Sequence, residues 1–348
     1  MPALALAGAL TDRGARVSFI GTRRGLEKEL VPGAGYELDL ADLRGLERRF
    51  SARIFLFIWS LFKGSLDCLR IIGRRQPDVV VGGGGYVSAM PAFMAALMRR
   101  RVVIMELDSH MGLANRFLAP FAGRVCLSFS IPGRESGKYV LTGRPLGKNL
   151  LEATPEAGRR AFGLRDEAPV VLVSGGSLGA RSLNLACAEA FGRGPLSLQL
   201  VHVSGRRDFG MLKRKLREQG ADLENYHLLD YTNDLPLAMA AADLVVGRSG
   251  ASVLEVAALG KPALLVPYPY ATADHQRQNA EWMAAAGAAE VVRDEELSGT
   301  LFRDRVTSLL GDRKRLAAMA RAGAALGERD GAGKVAAEIF GLAGKSRK

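Results

Sequence analysis

The sequence predicts an α/β protein built from two Rossmann-like, doubly wound parallel-sheet domains. Three observations carry this expectation. Short runs of apolar, mostly β-branched residues recur at intervals that leave room for a helix between them. Several of these runs end in glycine-rich turns. The runs also fall into two sets, divided by the Gly- and Pro-bearing stretch Gly143-Arg144-Pro145-Leu146-Gly147. Runs that are apolar at nearly every position, not at alternate ones, belong to parallel strands covered by helices on both faces.

Taken in order, residues 2–10 read as a helix with the apolar stripe Leu4, Leu6, Ala7 and Leu10. Asp12 and Gly14 supply a turn, and a strand is expected at residues 16–20. A doubly wound domain ordinarily opens with a strand and a Gly-rich loop ahead of such a helix. None precedes Pro2, so the first strand and first loop of the fold are expected to be missing, and the chain to be poorly soluble or weakly active as it stands. The first set of strands continues at residues 78–81 and 102–105. The second comprises residues 170–173, 198–203, 244–246 and 263–266, with a last helix at 331–342 and a frayed tail. The expected domains are residues 1–146, with 331–348 packing back on them, and residues 147–330.

With 348 residues the chain is long enough for two domains, and its 48% apolar and 24% charged residues suit a globular protein. No stretch approaches the roughly 20 apolar residues that cross a bilayer, and the start lacks the basic flank of a secretory signal. The scattered Cys68, Cys126 and Cys187 form neither a disulfide framework nor a metal cluster, which points to the cytoplasm. Residues 1–150 hold 22 Lys and Arg against 12 Asp and Glu, while the remainder holds 26 against 24. The basic half fits nucleic acid, anionic lipid or a phosphorylated ligand. No zinc finger, RNA-binding aromatic signature or basic zipper is present, so nucleic acid is set aside.

Five segments carry chemistry. Ser174-Gly175-Gly176-Ser177-Leu178-Gly179-Ala180 follows a strand and opens a helix, an arrangement whose free N–H groups attract a diphosphate. Such turns also occur without a ligand. Gly247-Arg248-Ser249-Gly250-Ala251-Ser252 repeats the arrangement with a cation, Arg248, suited to neutralising phosphate. Glu255, one turn further, is placed to accept from a ribose diol. Residues 267–280 gather Asp274, His275, Gln276 and Asn279, groups suited to sugar hydroxyls, with Asp274 as a candidate helix cap. Gly82-Gly83-Gly84-Gly85-Tyr86 is a further phosphate-type turn, in the basic half. Near it Glu106, Asp108 and His110 stand at the carboxyl end of a strand, where such sheets bind ligands. Residues 53–63, rich in Phe, Leu, Ile and Trp with basic flanks, read either as a buried helix or as a membrane-facing patch.

Together these segments resemble the MurG family of N-acetylglucosaminyltransferases over nearly the whole chain. The resemblance rests on Gly84-Gly85-Tyr86-Val87-Ser88, on Gly175-Gly176-Ser177 with Gly179-Ala180, on Arg248-Ser249-Gly250-Ala251 with Glu255, and on Asp274-His275-Gln276 with Asn279-Ala280. It implies two Rossmann-like domains facing across a cleft (GT-B type) and transfer of N-acetylglucosamine from UDP-N-acetylglucosamine to an undecaprenyl-diphosphate-linked muramoyl-pentapeptide. It also implies a peripheral position at the cytoplasmic face of the cell membrane, against an anionic surface, with no metal and no cofactor.

By the same resemblance, donor binding falls to Gly176, Ser177, Leu178, Tyr231, Thr232, Arg248, Ser249, Gly250, Ala251, Ser252, Glu255, His275 and Gln276. Acceptor binding falls to Gly84, Gly85, Tyr86, Asp108 and Asn115. A general base for the acceptor hydroxyl is sought among Asp108, Glu106 and His110, with Asp108 first. The chain departs from the family pattern in carrying Asp108 where Asn is usual, Leu178 where Gln is common and Gly147 where Arg is common. Ala251 and Glu255 also stand one residue closer than in many members. Three rival readings stay open: a transferase using another lipid acceptor such as a diacylglycerol, a donor-binding homologue impaired in catalysis, and a dinucleotide oxidoreductase. The last lacks a Gly-x-Gly-x-x-Gly turn with an acidic partner.

Overall fold

The computed structural model describes residues 2–23, 25–43, 54–176 and 179–344, and only the backbone course of 54–61 and 86. The chain divides into two compact units, Met1–Gly147 with Arg329–Lys348, and Lys148–Glu328.

The first unit runs α1 (Pro2–Thr11), β1 (Ser18–Thr22), α2 (Glu27–Gly33), β2 (Glu37–Ala41), α3 (Ile54–Arg75), β3 (Val79–Gly82), α4 (Gly85–Leu97), β4 (Arg101–Glu106), α5 (Leu113–Leu118), β5 (Arg124–Leu127) and β6 (Tyr139–Leu141). Strands β3-β4-β5-β6 form one parallel sheet and β1-β2 a separate parallel pair. Among the described residues the side of β3 away from β4 has no strand partner.

Strand β4 shows why its sequence lacks alternation. Val102 and Ile104 pack with Cys68, Ile72, Ala92 and Ala95 of α3 and α4 on one face. Val103 and Met105 pack with Leu6 and Leu10 of α1 on the other. All four strand side chains are at most 2% exposed. Burying one such side chain stabilises the fold by about 1.5–3 kcal/mol, so both faces demand an apolar residue.

The second unit runs α6 (Lys148–Leu151), α7 (Pro155–Phe162), β7 (Val170–Ser174), α8 (Arg181–Phe191), β8 (Gln199–Val203), α9 (Arg206–Glu218), β9 (Tyr226–Leu229), α10 (Leu235–Ala241), β10 (Leu244–Gly247), α11 (Val253–Ala258), β11 (Ala263–Leu265), α12 (His275–Ala285), β12 (Ala289–Val291), α13 (Gly299–Gly311) and α14 (Arg313–Leu326). Its parallel sheet has the order β12-β11-β10-β7-β8-β9. The chain winds outward from β7 through β8 and β9, then returns beside β7 at β10. The carboxyl ends of β7 and β10 therefore form the crevice at which doubly wound sheets take ligands. Helix α15 (Gly331–Gly344) closes the chain against the first unit. There Arg13 donates to the Gly333 carbonyl at 2.8 Å and Arg124 pairs with Glu338 at 2.7 Å.

The strands expected from the sequence are all present within one or two residues at each end. The strand sought at 16–20 starts later, at Ser18, because Ala15 still bonds back to Leu10 to close the turn after α1. Five strands, β2, β5, β6, β9 and β12, were not anticipated. The apolar stretch at 53–63, read as a buried helix or a membrane-facing patch, has its side chains up to position 61 outside the described residues.

A buried polar chain crosses the core of the second unit. His202 on β8 bonds Tyr226 Oη through Nδ1 at 2.8 Å and Asn184 Oδ1 through Nε2 at 3.0 Å. Asn184 also donates to the Ser204 carbonyl and to Asp208. Burial pushes the imidazole down to about 3 from its ordinary 6.5. The unfolded chain takes up this proton near 6.5 and the folded chain not until about 3. Stability is therefore fully present above that window and declines as pH falls through it, by up to about 1.4 kcal/mol per pH unit. Urea midpoints measured from pH 7 to pH 4 are expected to fall less steeply for His202→Gln than for the unaltered chain.

Candidate functional site

In the first unit the turn after β3 meets the loop after β4. Gly84 and Gly85 have φ of 85° and 75°, a left-handed region that favours glycine. Ser88 holds the turn by donating to the Gly84 carbonyl at 2.6 Å. Opposite it, the Glu106 carboxylate gathers the loop that follows β4, accepting from Asp108 N at 3.2 Å, Gly112 N at 2.9 Å and Asn115 Nδ2 at 2.9 Å. Asn115 Nδ2 also donates to the Met105 carbonyl at 3.0 Å. Glu106 and Asn115 are buried. Their hydrogen bonds make them the frame of the loop.

Between turn and loop lies a pocket of about 280 Å³ whose lining includes Gly83, Gly84, Gly85, Glu106, Asp108 and Asn115. Of the three base candidates, Asp108 lines this pocket and makes no side-chain hydrogen bond among the described residues. Glu106 is held by the loop it organises, and His110 is not among the lining residues. The Tyr86 side chain lies outside the described residues.

In the second unit the turn after β7 is shaped by contact. Gly179 has φ 73°, and a Cβ there would stand 2.3 Å from the Ser204 carbonyl oxygen, so the turn packs directly on the end of β8. Gly176 has φ 80°. Ser177 and Leu178 lie outside the described residues. Helix α8 begins with Ala180 as its N-cap and no side-chain cap bond, which leaves its first N–H groups open to an anion.

The turn after β10 is tied to α12: Ser249 Oγ donates to the Gln276 carbonyl at 2.6 Å, and Asn279 Nδ2 donates to the Ser249 carbonyl at 3.0 Å. Gly250, Ala251 and Ser252 complete that turn, and Glu255 sits half-buried in the first turn of α11. Gln276 Oε1 accepts from Tyr268 N at 3.0 Å, and His275 Nδ1 contacts the Thr272 carbonyl at 2.8 Å. Tyr231 is half-exposed beyond β9, and Thr232 Oγ1 accepts from Asp234 N at 3.0 Å.

One expectation changes in part, and one residue proves to have partners the sequence did not show. Asp274 stands at the N-cap position of α12 as expected, but with φ 54° it makes no side-chain cap bond and pairs with Arg277 instead. Ala273 beside it has φ 52°, so two adjacent non-glycine residues hold left-handed backbone, a costly arrangement concentrated at ligand-gripping segments. Arg248, read as a phosphate partner, is engaged by the protein itself. It pairs with Asp294 at 2.6 Å and donates to Ser182 Oγ at 2.9 Å, the Val266 carbonyl at 3.0 Å and the Pro267 carbonyl at 3.2 Å. Ser182 in turn donates to Asp294 at 2.6 Å. Asp294 and Ser182 were not singled out in the sequence, where 46 positions separate Asp294 from Arg248. Among the described residues no group of three or more His, Cys, Asp or Glu is placed to hold a metal ion.

Parallel sheets whose strands end in Gly turns define a Rossmann-type α/β class of protein, and the comparisons agree. Residues 1–127 match the glycosyltransferase family 28 N-terminal domain and residues 170–335 the glycosyltransferase family 28 C-terminal domain. A relative from Moorella thermoacetica is 42% identical over 339 residues, with 94% of this chain and 91% of the relative covered. One from Halothermothrix orenii is 36% identical with the same coverage. Both carry the name UDP-N-acetylglucosamine--N-acetylmuramyl-(pentapeptide) pyrophosphoryl-undecaprenol N-acetylglucosamine transferase. The crystal structure of Acinetobacter baumannii MurG superposes with a TM-score of 0.75 at 26% identity, covering 98% of this chain and 95% of that one. The chain belongs to the MurG family of glycosyltransferases.

The Arg248–Asp294 pair is largely withdrawn from water, with side chains 11% and 20% exposed. Asp294→Ala leaves the guanidinium without its counter-charge and is expected to cost about 2–3 kcal/mol in urea denaturation. Asp294→Asn, which still accepts from Arg248 and Ser182, should cost roughly half as much.

Proposed function

We propose that this chain transfers N-acetylglucosamine from UDP-N-acetylglucosamine to the undecaprenyl-diphosphate-linked N-acetylmuramoyl-pentapeptide, completing the lipid-linked disaccharide of peptidoglycan synthesis. The observation that carries the reading is the donor-type turn after β7, packed on β8 through Gly179, in a chain 42% identical to a transferase of that name. The second unit takes the donor. Its diphosphate lies at the open start of α8, where N–H groups and the helix dipole favour negative charge. Glu255 takes the ribose, and His275, Gln276 and Ala251 lie along the sugar.

The first unit takes the acceptor at the Gly84–Gly85 turn, with its reactive hydroxyl toward Asp108. In the reaction the hydroxyl oxygen forms a bond to the sugar's anomeric carbon as the bond from that carbon to the UDP oxygen breaks. The hydroxyl proton passes to the Asp108 carboxylate, UDP departs with the bonding pair, and the anomeric centre inverts. The leaving diphosphate gains charge, and fixed N–H groups at α8 stabilise it without reorganising. Glu106 keeps the Asp108 backbone in place through the bond to Asp108 N.

Attachment to the cytoplasmic face of the membrane is part of the same reading, since the acceptor is a lipid. Support comes from an aromatic cluster of α4, α5 and the turn after α5: half-buried Phe93 and exposed Phe117 and Phe121 have ring centroids 5.2–5.9 Å apart. Leu97 and Leu113, 61% and 83% exposed, lie on the same two helices. Arg99, Arg100 and Arg116 stand near it in sequence. Aromatic and aliphatic groups insert at the headgroup boundary while basic groups meet anionic lipid. Among the described residues no helix is long and apolar enough to cross a membrane.

Calorimetry with UDP-N-acetylglucosamine, run beside a turnover assay on the lipid-linked acceptor, tests the reading; no affinity for UDP or its sugar conjugate defeats it. Asp108→Ala should lower turnover by about a hundredfold or more with UDP affinity unchanged, and undiminished turnover removes Asp108 from its role. The Phe117→Ser, Phe121→Ser double variant should lose sedimentation with anionic vesicles while keeping UDP affinity.

A further inference from the structure

A nucleoside diphosphate brings several negative charges to the strand ends of the second unit, yet the cation read there from sequence is already matched by Asp294. A different cation stands beside the same crevice. We propose that Arg206 is the cationic contact for the diphosphate of the bound nucleotide, held ready by the ring of Tyr231. The proposal rests on the reading of this unit as the donor-binding one.

Arg206 is the first residue of α9 and follows Gly205, whose φ is 81°. The residue before that, Ser204, supplies the carbonyl on which Gly179 packs. The start of α9 therefore abuts the very turn assigned to the diphosphate. The Arg206 side chain is exposed and has no ion pair among the described residues, whereas its neighbour Arg207 is bonded to Asp208. Its guanidinium carbon lies 5.4 Å from the centre of the Tyr231 ring.

The backbone that carries Tyr231 is held in place: its N–H donates to Asp230 Oδ1 at 2.8 Å, and β9, which leads to it, is joined to β8 where Ser204 N donates to the Leu229 carbonyl at 2.9 Å. An arginine lying on an aromatic face gives up much of its rotamer freedom but keeps the edge of its fork, with the N–H groups that bind phosphate oxygens. It is oriented without being neutralised, which is the condition Arg248 does not meet.

The sheet order supports the same placement. The turn after β7, Arg206 after β8 and Tyr231 after β9 stand on three successive strands. At about 4.8 Å between strands, the end of β8 that carries Arg206 is one strand from the turn and the end of β9 that leads to Tyr231 is two. A diphosphate seated at the turn after β7 therefore has Arg206 as the cation on the neighbouring strand end. Lysine at this position would carry the charge but not the guanidinium's planar fork.

The test is binding of UDP by calorimetry and of uridine by NMR at millimolar concentration, to the unaltered chain, Arg206→Ala and Arg206→Lys. Arg206→Ala is expected to weaken UDP binding by about tenfold to a hundredfold and uridine binding by less than about threefold. Arg206→Lys should fall between the two proteins for UDP. Because the side chain is exposed, all three should melt at closely similar temperatures. UDP affinity in Arg206→Ala equal to that of the unaltered chain overturns the proposal. So does an equal loss for UDP and uridine, which would make Arg206 a base-stacking group. Failure of the unaltered chain to bind UDP overturns the donor assignment itself, and this proposal with it.

Discussion

The second unit is organised around one guanidinium. Arg248 reaches from the turn after β10 to the carbonyls just after β11, to Ser182 in the first turn of α8 and to Asp294 beyond β12. Four segments that meet only at the carboxyl edge of the sheet are thus fixed by one planar group. Each partner is a carbonyl, a hydroxyl or a carboxylate, so every bond is charge-assisted on the donor side. The turns that would grip a nucleotide sugar inherit their spacing from this contact. Ser249 and Asn279 then extend the same tie into α12.

The first unit solves the matching problem with the opposite charge. There the buried Glu106 carboxylate collects N–H groups from Asp108, Gly112 and Asn115 and so draws the loop after β4 into a fixed curve. In both units one acidic or basic side chain at a strand end is surrounded by its own backbone and near neighbours. This arrangement separates groups that build the site from groups left facing it. Glu106, Asn115 and Arg248 belong to the first kind. Asp108, the open start of α8 and Arg206 belong to the second.

Much of the fold was legible because a strand buried on both faces must be apolar at consecutive positions, as in Val102-Val103-Ile104-Met105 and Val170-Val171-Leu172-Val173. The strands that escaped notice are mostly at sheet margins. Strands β6, β9 and β12 are edges, and β2 is half of a two-stranded pair. With less to cover, they tolerate Glu37, Asp39, His227 and Glu290, and their pattern dissolves into that of a loop. Strand β5 is interior but short, and it opens on Arg124, which is turned to Glu338. The Gly turns were legible because left-handed backbone and close approach leave a compositional trace. What occupies Arg248 was not, since Asp294 and Ser182 reach it only through the winding of the sheet. The left-handed Ala273 and Asp274 likewise carry no mark in a sequence without glycine at those positions.

The three cysteines have a practical consequence. Cys68 and Cys126 lie in the first unit and Cys187 in the second, all at most 2% exposed, with burial pushing each thiol up to about 12. A thiolate hardly forms in the native state, so alkylating reagents and mild oxidants have nothing to attack until a unit opens. Each unit thereby carries an internal clock: mapping which sulfur is labelled first, by peptide mass, would rank the breathing of the two halves without any added probe.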